Sequence, residues 1–500
     1  MVSKASSGRN WRDRPHHRGA IAPRTCSGCG RPGPVPRHLT VPPIDFAAVR
    51  EELDIPLAFA PAVEAAAAEA ARTPRLPTVD ATDIELVTVD PTGSMDLDQA
   101  LHIGPRPGGG YRVHYAIADV AAFVVAGDPV DVEARQRGVT LYSPDRRTPL
   151  HPTIISEGAA SLLPGQDRPA LLWRIDLDGE GRQETVDVRR ALVRSRARLD
   201  YAGLQASIDA GRPPAGARRL AEVGRLRQTL AAERDAIELD QPDQDVVPDG
   251  SGHWALVLRA PLPVEQWNAE LSLLTGMAAA GVMLEGGIGL LRTLPEAEPG
   301  AVARLRASAG ALGIRWTAHE RPGEVIRRLD RTLARDVAFL EEAAGLLRGA
   351  GYTSFSGTPP DLESHAGIGA PYAHVTAPIR RLCDRFTSEV CLALSAGSEI
   401  PEWAATALPQ LPDIMAAADR RARTLERAVI DLTEAWLLAP RLGEVFDATV
   451  INVDERGTTI VIDRPPVRAR CEGTLAEGKR VRVRLETADV TTRTVRFRPA

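Results

Sequence analysis

The sequence predicts an α+β fold that ends in a small OB-like β-barrel. Three observations carry this: strand-like alternation from about residue 83 to 200, helical periodicity from about 200 to 440, and four short alternating runs after Pro440. A chain of 500 residues exceeds what one core usually holds, and 44% apolar with 25% charged residues is ordinary globular composition.

Taken in order, residues 1–40 are rich in Arg, Gly, Pro and Ser and lack hydrophobic periodicity, so a disordered basic tail is expected there. Within it Cys26 and Cys29 have zinc-knuckle spacing, with His16, His17 and His38 nearby. One cysteine pair is half a zinc site, and an unliganded tail is the stronger reading. Residues 41–82 form a helical lead-in, in which "AFAPAVEAAAAEAARTP" is a helix former stopped by proline.

Residues 83–440 read as one large domain. "RVHYAIADVAAFV" and "ALLWRIDLDG" are strands between Gly/Pro turns, whereas "GARRLAEVGRLRQTLAAERDAI", "WNAELSLLTGMAAAGVML" and "DIMAAADRRARTLERAVIDLTEAWLLA" keep helical spacing. Residues 441–500 hold the four runs "VFDATVINVD", "TTIVIDR", "KRVRVRLE" and "TRTVRFR", which suit an OB-fold-like barrel. There Arg480, Arg482 and Arg484 share a face opposite Val481, Val483 and Leu485, a pattern that fits phosphate tracking and a solvated edge equally. Phe446 and Phe497 are the rings of this segment that would stack bases.

Charge and cysteine usage bound the partners. A formal charge of −5 gives no whole-molecule attraction to nucleic acid, so any such partner must meet local basic patches. Only Lys4 and Lys479 are lysines among 61 basic residues; the rest are arginine. Five cysteines, an odd count without a secretory leader, predict a reducing, cytoplasmic compartment. No run reaches about 18 apolar residues, so no membrane span is expected, and the chain reads as a monomer.

Two stretches carry chemistry. "VDPTGSMDLDQALHI" places Asp90, Asp96, Asp98 and the amide Gln99 on one loop after an apolar run. Hard oxygens at this density suit Mg²⁺ or Mn²⁺, while a solvated acidic turn or a structural calcium explains the loop alone equally well. In "HAGIGAPYAHVTAPIRRLCDRFTSEV", Pro378 suits a first helical turn and Ile379, Leu382, Phe386 and Val390 share a face. Arg380 and Arg381 then sit at the positive end of a helix dipole, where they either hold an anion or are neutralised by Asp384.

"TVDPTGSMDLDQAL" and "HVTAPIRRLCD" resemble the two signature blocks of the ribonuclease II and ribonuclease R exoribonucleases, the RNB catalytic domain. Between them, "GVTLYSPDRRTPLHPTIISEGAASLLPGQDRPALLWRIDLDGEG" is similar to that family's intervening run, and the resemblance covers roughly residues 83–440. It implies 3′-to-5′ hydrolysis of single-stranded RNA to nucleoside 5′-monophosphates with Mg²⁺ or Mn²⁺. By position it implies that Asp90 and Asp96 hold metal, with Gln99 at a further metal position. Asp98 would position or activate water, Arg380 would lie at the scissile phosphate and Glu426 near the RNA 3′ end. Tyr201 would pack on the terminal nucleotide, and Tyr142 and Arg381 would meet RNA.

Departures from the family's pattern are Gln99 in place of an acid, Leu239 in place of a base-stacking phenylalanine, and a helix "WNAELSLLTGMA" without paired glutamates. The two cold-shock barrels that precede the family's catalytic region do not fit in the roughly 80 residues before it. A rival reading is therefore an inactive RNA-binding protein on an RNB scaffold; a DNA exonuclease with the same chemistry is a weaker third.

Overall fold

In this computed structural model the described residues are 44–237, 239, 243–248, 254–330, 333–454, 457–462 and 464–500. Cys26, Cys29 and the expected tail lie outside them. The lead-in takes the form of two helices, α1 (Ala47–Glu52) and α2 (Pro61–Arg72), the second opening with proline at its first position, where a missing N–H costs nothing.

The strand-rich segment closes into a barrel. Its elements are β1 (Leu86–Asp90), β2 (Gln99–Pro105), β3 (Tyr111–Ala118), β6 (Asp167–Leu177) and β7 (Gln183–Asp200), joined in the order β1-β2-β3-β6-β7. β1 and β7 close it in parallel, and the other neighbours are antiparallel. Strand alternation sorts the side chains: Leu101, Tyr115 and Trp173 are cross-strand partners inside one core, whereas Ala100, Ala116 and Leu172 face a second core shared with Val63 and Ala67 of α2. Small residues on that second face let α2 approach closely. Between β3 and β6 a short hairpin, β4 (Leu141–Ser143) and β5 (Arg146–Thr148), pairs Tyr142 with Arg147.

Three long helices cover the site. The first, α3 (Pro263–Gly286), is apolar on most sides because it packs both on helix Leu220–Glu233 and on α4 (Leu382–Ala396). Gly287 ends it in the left-handed region at φ 69°. α4 starts at Leu382, later than Pro378 suggests. The amides of Arg380 and Arg381 both return to the Ala377 carbonyl, and the Asp384 carboxylate takes the Ala377 N–H, so residues 377–381 form a tight turn ahead of the helix. The third is α5 (Leu411–Leu438), which runs from the β4 hairpin to the C-terminal domain.

That domain is a closed barrel of five strands, β8 (Val445–Asp454), β9 (Gly457–Ile462), β10 (Arg468–Cys471), β11 (Arg480–Asp489) and β12 (Thr494–Pro499), ordered β8-β9-β10-β12-β11. The strand beyond the expected four is β10, only four residues long. Val483 and Leu485 are buried while Arg480 and Arg482 are exposed, as alternation requires. Phe446 and Phe497, expected to stack bases, do not: they are 5% and 0% exposed and meet edge to face at 5.7 Å in the barrel core. Among the described residues no helix is long and apolar enough to cross a membrane.

Candidate active site

Parallel strands end on the same rim, and β1 and β7 therefore bring Asp90 opposite Asp200, with Tyr201 next in the chain. From Asp90 the loop 91–98 turns back into β2. Ser161 holds it, accepting from the Leu97 N–H at 3.0 Å and donating to the Met95 carbonyl at 2.6 Å, while the Leu162 amide donates to the Leu97 carbonyl. The loop is thus tied to "SLLPG" on one side and to β3 on the other, where the Ala118 N–H reaches the Asp98 carbonyl.

Asp98 is 1% exposed, and both oxygens have donors: the Ile379 N–H at 2.8 Å and Arg380 Nε at 2.7 Å. The acidic loop and the arginine turn, far apart in the chain, therefore meet on one carboxylate. Arg380 keeps 40% of its side chain exposed, and the Tyr142 hydroxyl also hydrogen-bonds it. Asp384 does not neutralise Arg380. It takes Arg381 instead, through Nε at 3.0 Å and Nη2 at 2.8 Å, which commits two donors of a residue expected to meet RNA.

The remaining acidic positions differ from one another. Asp96 has both oxygens occupied, by Arg147 Nη1 at 2.7 Å and by the Tyr142 hydroxyl at 3.3 Å. Gln99 accepts through its carbonyl oxygen from the Tyr115 hydroxyl. Asp90 alone of these has a buried oxygen, Oδ2, that meets no donor.

Burial raises the Asp90 carboxyl to about 7, with Asp98 and Asp96 adding to the rise and Arg380 opposing it. Burial also raises Asp98, to about 6, against the pull of Arg380 and the Ile379 N–H. An orphaned buried oxygen beside a second raised carboxylate fits a hard divalent cation, which would satisfy the one and lower both. Among the described residues the trio of ligand atoms within 4.8 Å of one another is a different one, His374, Cys383 and Asp384. There the Asp384 carboxylate is already taken by Arg381 and the Ala377 N–H, which disfavours a cation.

Around Asp90 stand the expected Tyr201 and three groups that motif reading missed, Asn268, Tyr115 and Ser272. Tyr201 is raised by burial and by the Asp90 charge, and Asn268 hydrogen-bonds it. Tyr115 lies close to Asp90, Tyr201 and Ser272, and Ser272 Oγ is 2.8 Å from Thr376 Oγ1. Alternation along β3 could have pointed Tyr115 into the barrel, but only the register shows what it meets. Glu426 lies on the exposed face of α5, and no hydrogen bond or ion pair joins it to the aspartate loop among the described residues. Leu239 packs, partly buried, against the cluster of Phe339 and Leu340.

Comparison with known proteins gives the family. Residues 78–393 match the RNB domain, and residues 444–500 match the RNase II-type exonuclease C-terminal S1 domain. Ribonuclease R of Thermotoga maritima is 26% identical over 406 residues, 77% of this chain and 56% of its own. Exoribonuclease 2 of Edwardsiella piscicida is 27% identical over 394 residues, 75% of this chain and 59% of its own. The chain thus spans little more than half the length of these relatives. Mycoplasma genitalium RNase R, solved with ribose-methylated single-stranded RNA, superposes with a TM-score of 0.80 at 19% identity, covering 91% of this chain and 77% of that one. Yeast Ssd1, described as a pseudonuclease, shares the fold at a TM-score of 0.62 and 17% identity, covering 80% of this chain and 52% of its own. With its two signature blocks joined at Asp98 and an S1 barrel behind them, the chain belongs to the RNB family of ribonuclease II-type proteins.

Proposed function

We propose that this protein is a 3′-to-5′ exoribonuclease that hydrolyses single-stranded RNA to nucleoside 5′-monophosphates. The observation that carries the reading is the Asp98–Arg380 pair, which sets a part-exposed guanidinium beside the acidic loop. Asp90, whose Oδ2 meets no donor, would hold Mg²⁺ or Mn²⁺, and such an ion supplies Lewis acidity toward a phosphodiester and lowers the pKa of water. Asp98 orients Arg380 through Nε, and the guanidinium neutralises charge building on the phosphoryl oxygens. Tyr201, at the barrel rim, seats the terminal nucleotide, and Tyr142 and Glu426 line its approach. RNA in complex with the Mycoplasma relative supports the substrate class.

The test is 5′-labelled single-stranded RNA with Mg²⁺ or Mn²⁺ against EDTA. A ladder shortening from the 3′ end is expected from wild type, and none in EDTA. Asp98→Asn should lose cleavage by at least about 100-fold, the size of a removed catalytic group, while filter binding of RNA stays within about threefold. Bound but uncut RNA in every divalent metal would favour the second reading, an RNA-binding protein without turnover. The observation behind that reading is Gln99 facing Tyr115, and cleavage restored by Gln99→Asp would identify it as the switch.

A further inference from the structure

The acidic loop and the arginine turn are joined twice. Asp98 takes the Ile379 N–H and Arg380 Nε, at the far end of the turn. Gln99, the next residue, leaves the start of β2 on the opposite side, the one shared with Leu101, and its Oε1 accepts from the Tyr115 hydroxyl inside the barrel. Ser272 of α3 hydrogen-bonds the same hydroxyl, and Ser272 Oγ lies 2.8 Å from Thr376 Oγ1. Thr376 immediately precedes Ala377, whose carbonyl takes the amides of Arg380 and Arg381. Consecutive residues of one loop therefore reach the two ends of one turn by separate routes.

The direction of donation along the second route is fixed. The Gln99 carbonyl oxygen only accepts, so the single Tyr115 hydroxyl proton goes to it. Ser272 must then donate to the Tyr115 oxygen, and Thr376 to Ser272. Each hydroxyl donates along the chain, an arrangement in which the bonds polarise one another. Tyr115 and Thr376 are 0% and 2% exposed, so bulk water does not compete for these links. Packing between Leu101 and Trp173 asks only for the ring, which a phenylalanine would supply; the hydroxyl serves the chain.

We propose that Tyr115 is a positioning residue: through Ser272 it holds the Thr376 end of the arginine turn against Gln99, as Asp98 holds the Arg380 end. Its action on the reaction runs through Arg380. The inference rests on the exoribonuclease reading only for the effect on turnover; the placing of the turn is read without RNA.

Hydrogen–deuterium exchange of the full chain, measured by mass spectrometry, follows the turn through the amides of Ala377, Ile379, Arg380 and Arg381, each of which has an acceptor. Tyr115→Phe and Ser272→Ala should each speed exchange over 376–381 by at least about tenfold and leave α4 as in wild type. With 5′-labelled RNA, Tyr115→Phe should lower kcat at least about tenfold and hold KM within about threefold, since the strand is still bound but a group acting on it is displaced. Gln99→Met cuts the chain at its other end, and Tyr115→Phe/Gln99→Met should lose no more kcat than the worse single variant. Ser272→Ala carries the test if Tyr115→Phe does not fold. Exchange unchanged in the turn, or raised equally along α4, would overturn the proposal, as would additive kcat losses or wild-type turnover by Tyr115→Phe. Faster exchange confined to the turn, with RNA left uncut by wild type, leaves the positioning role standing and rejects the exoribonuclease reading instead.

Discussion

Asp90 combines burial, an unpaired oxygen and a carboxyl raised to about 7. Its ordinary value is 3.8, so between these two values the folded chain binds more protons than the unfolded one. Stability contributed by this group therefore falls as pH rises through that window, and the loss is complete above it. Asp90→Asn removes the penalty. By calorimetry in EDTA at pH 8 the variant should melt at least about 2 °C above wild type, and the gap should close near pH 4. Mg²⁺ should raise the melting temperature of wild type and leave the variant where it is. The residue that serves the site best is then the one that strains the metal-free fold most.

At the scale of elements, α3 sets the position of the arginine turn. Gly276 lies where a Cβ would fall 2.1 Å from Tyr372 Cε2 and 2.6 Å from the Ala373 carbonyl, immediately ahead of the segment that carries Arg380. Gly276→Ala should cost about 1–3 kcal/mol by overpacking and lower turnover as well. Gly281→Ala, one and a half turns along, meets nothing within 4 Å and should stabilise by up to about 1 kcal/mol. Denaturant melts of the pair separate helix propensity from packing. Much of this layer was legible: alternation marked the barrel strands, spacing marked α3 and α5, and the quoted blocks marked the loop and the turn. Arg147 was not legible, because its partners Asp96 and Glu157 belong to other elements. Nor was the burial of Phe446 and Phe497, since period-two alternation gives two faces without saying which one the barrel encloses. The late start of α4 followed from Asp384 capping a turn upstream, a contact local patterning does not encode.

Across the whole molecule, a net charge of −5 coexists with a basic saddle where α5 meets the second barrel. Arg420, Arg423, Arg427 and Arg493 line one cleft there, and Arg470 and Arg496 the adjoining one. If RNA crosses this saddle, Arg423→Ala should weaken binding evenly across sequences and lower the slope of log affinity against log salt by about one; an unchanged slope in fluorescence anisotropy places the strand elsewhere. The Asp98 carboxylate has a consequence of another kind. Its two donors follow it by 281 and 282 residues. A ribosome that has finished the acidic loop must add all of these, at about 5–20 residues per second, before the guanidinium exists. Throughout that interval the growing chain is tethered to its own message while lacking an assembled site. Until those residues follow, the Asp98 carboxylate has neither of its two donors.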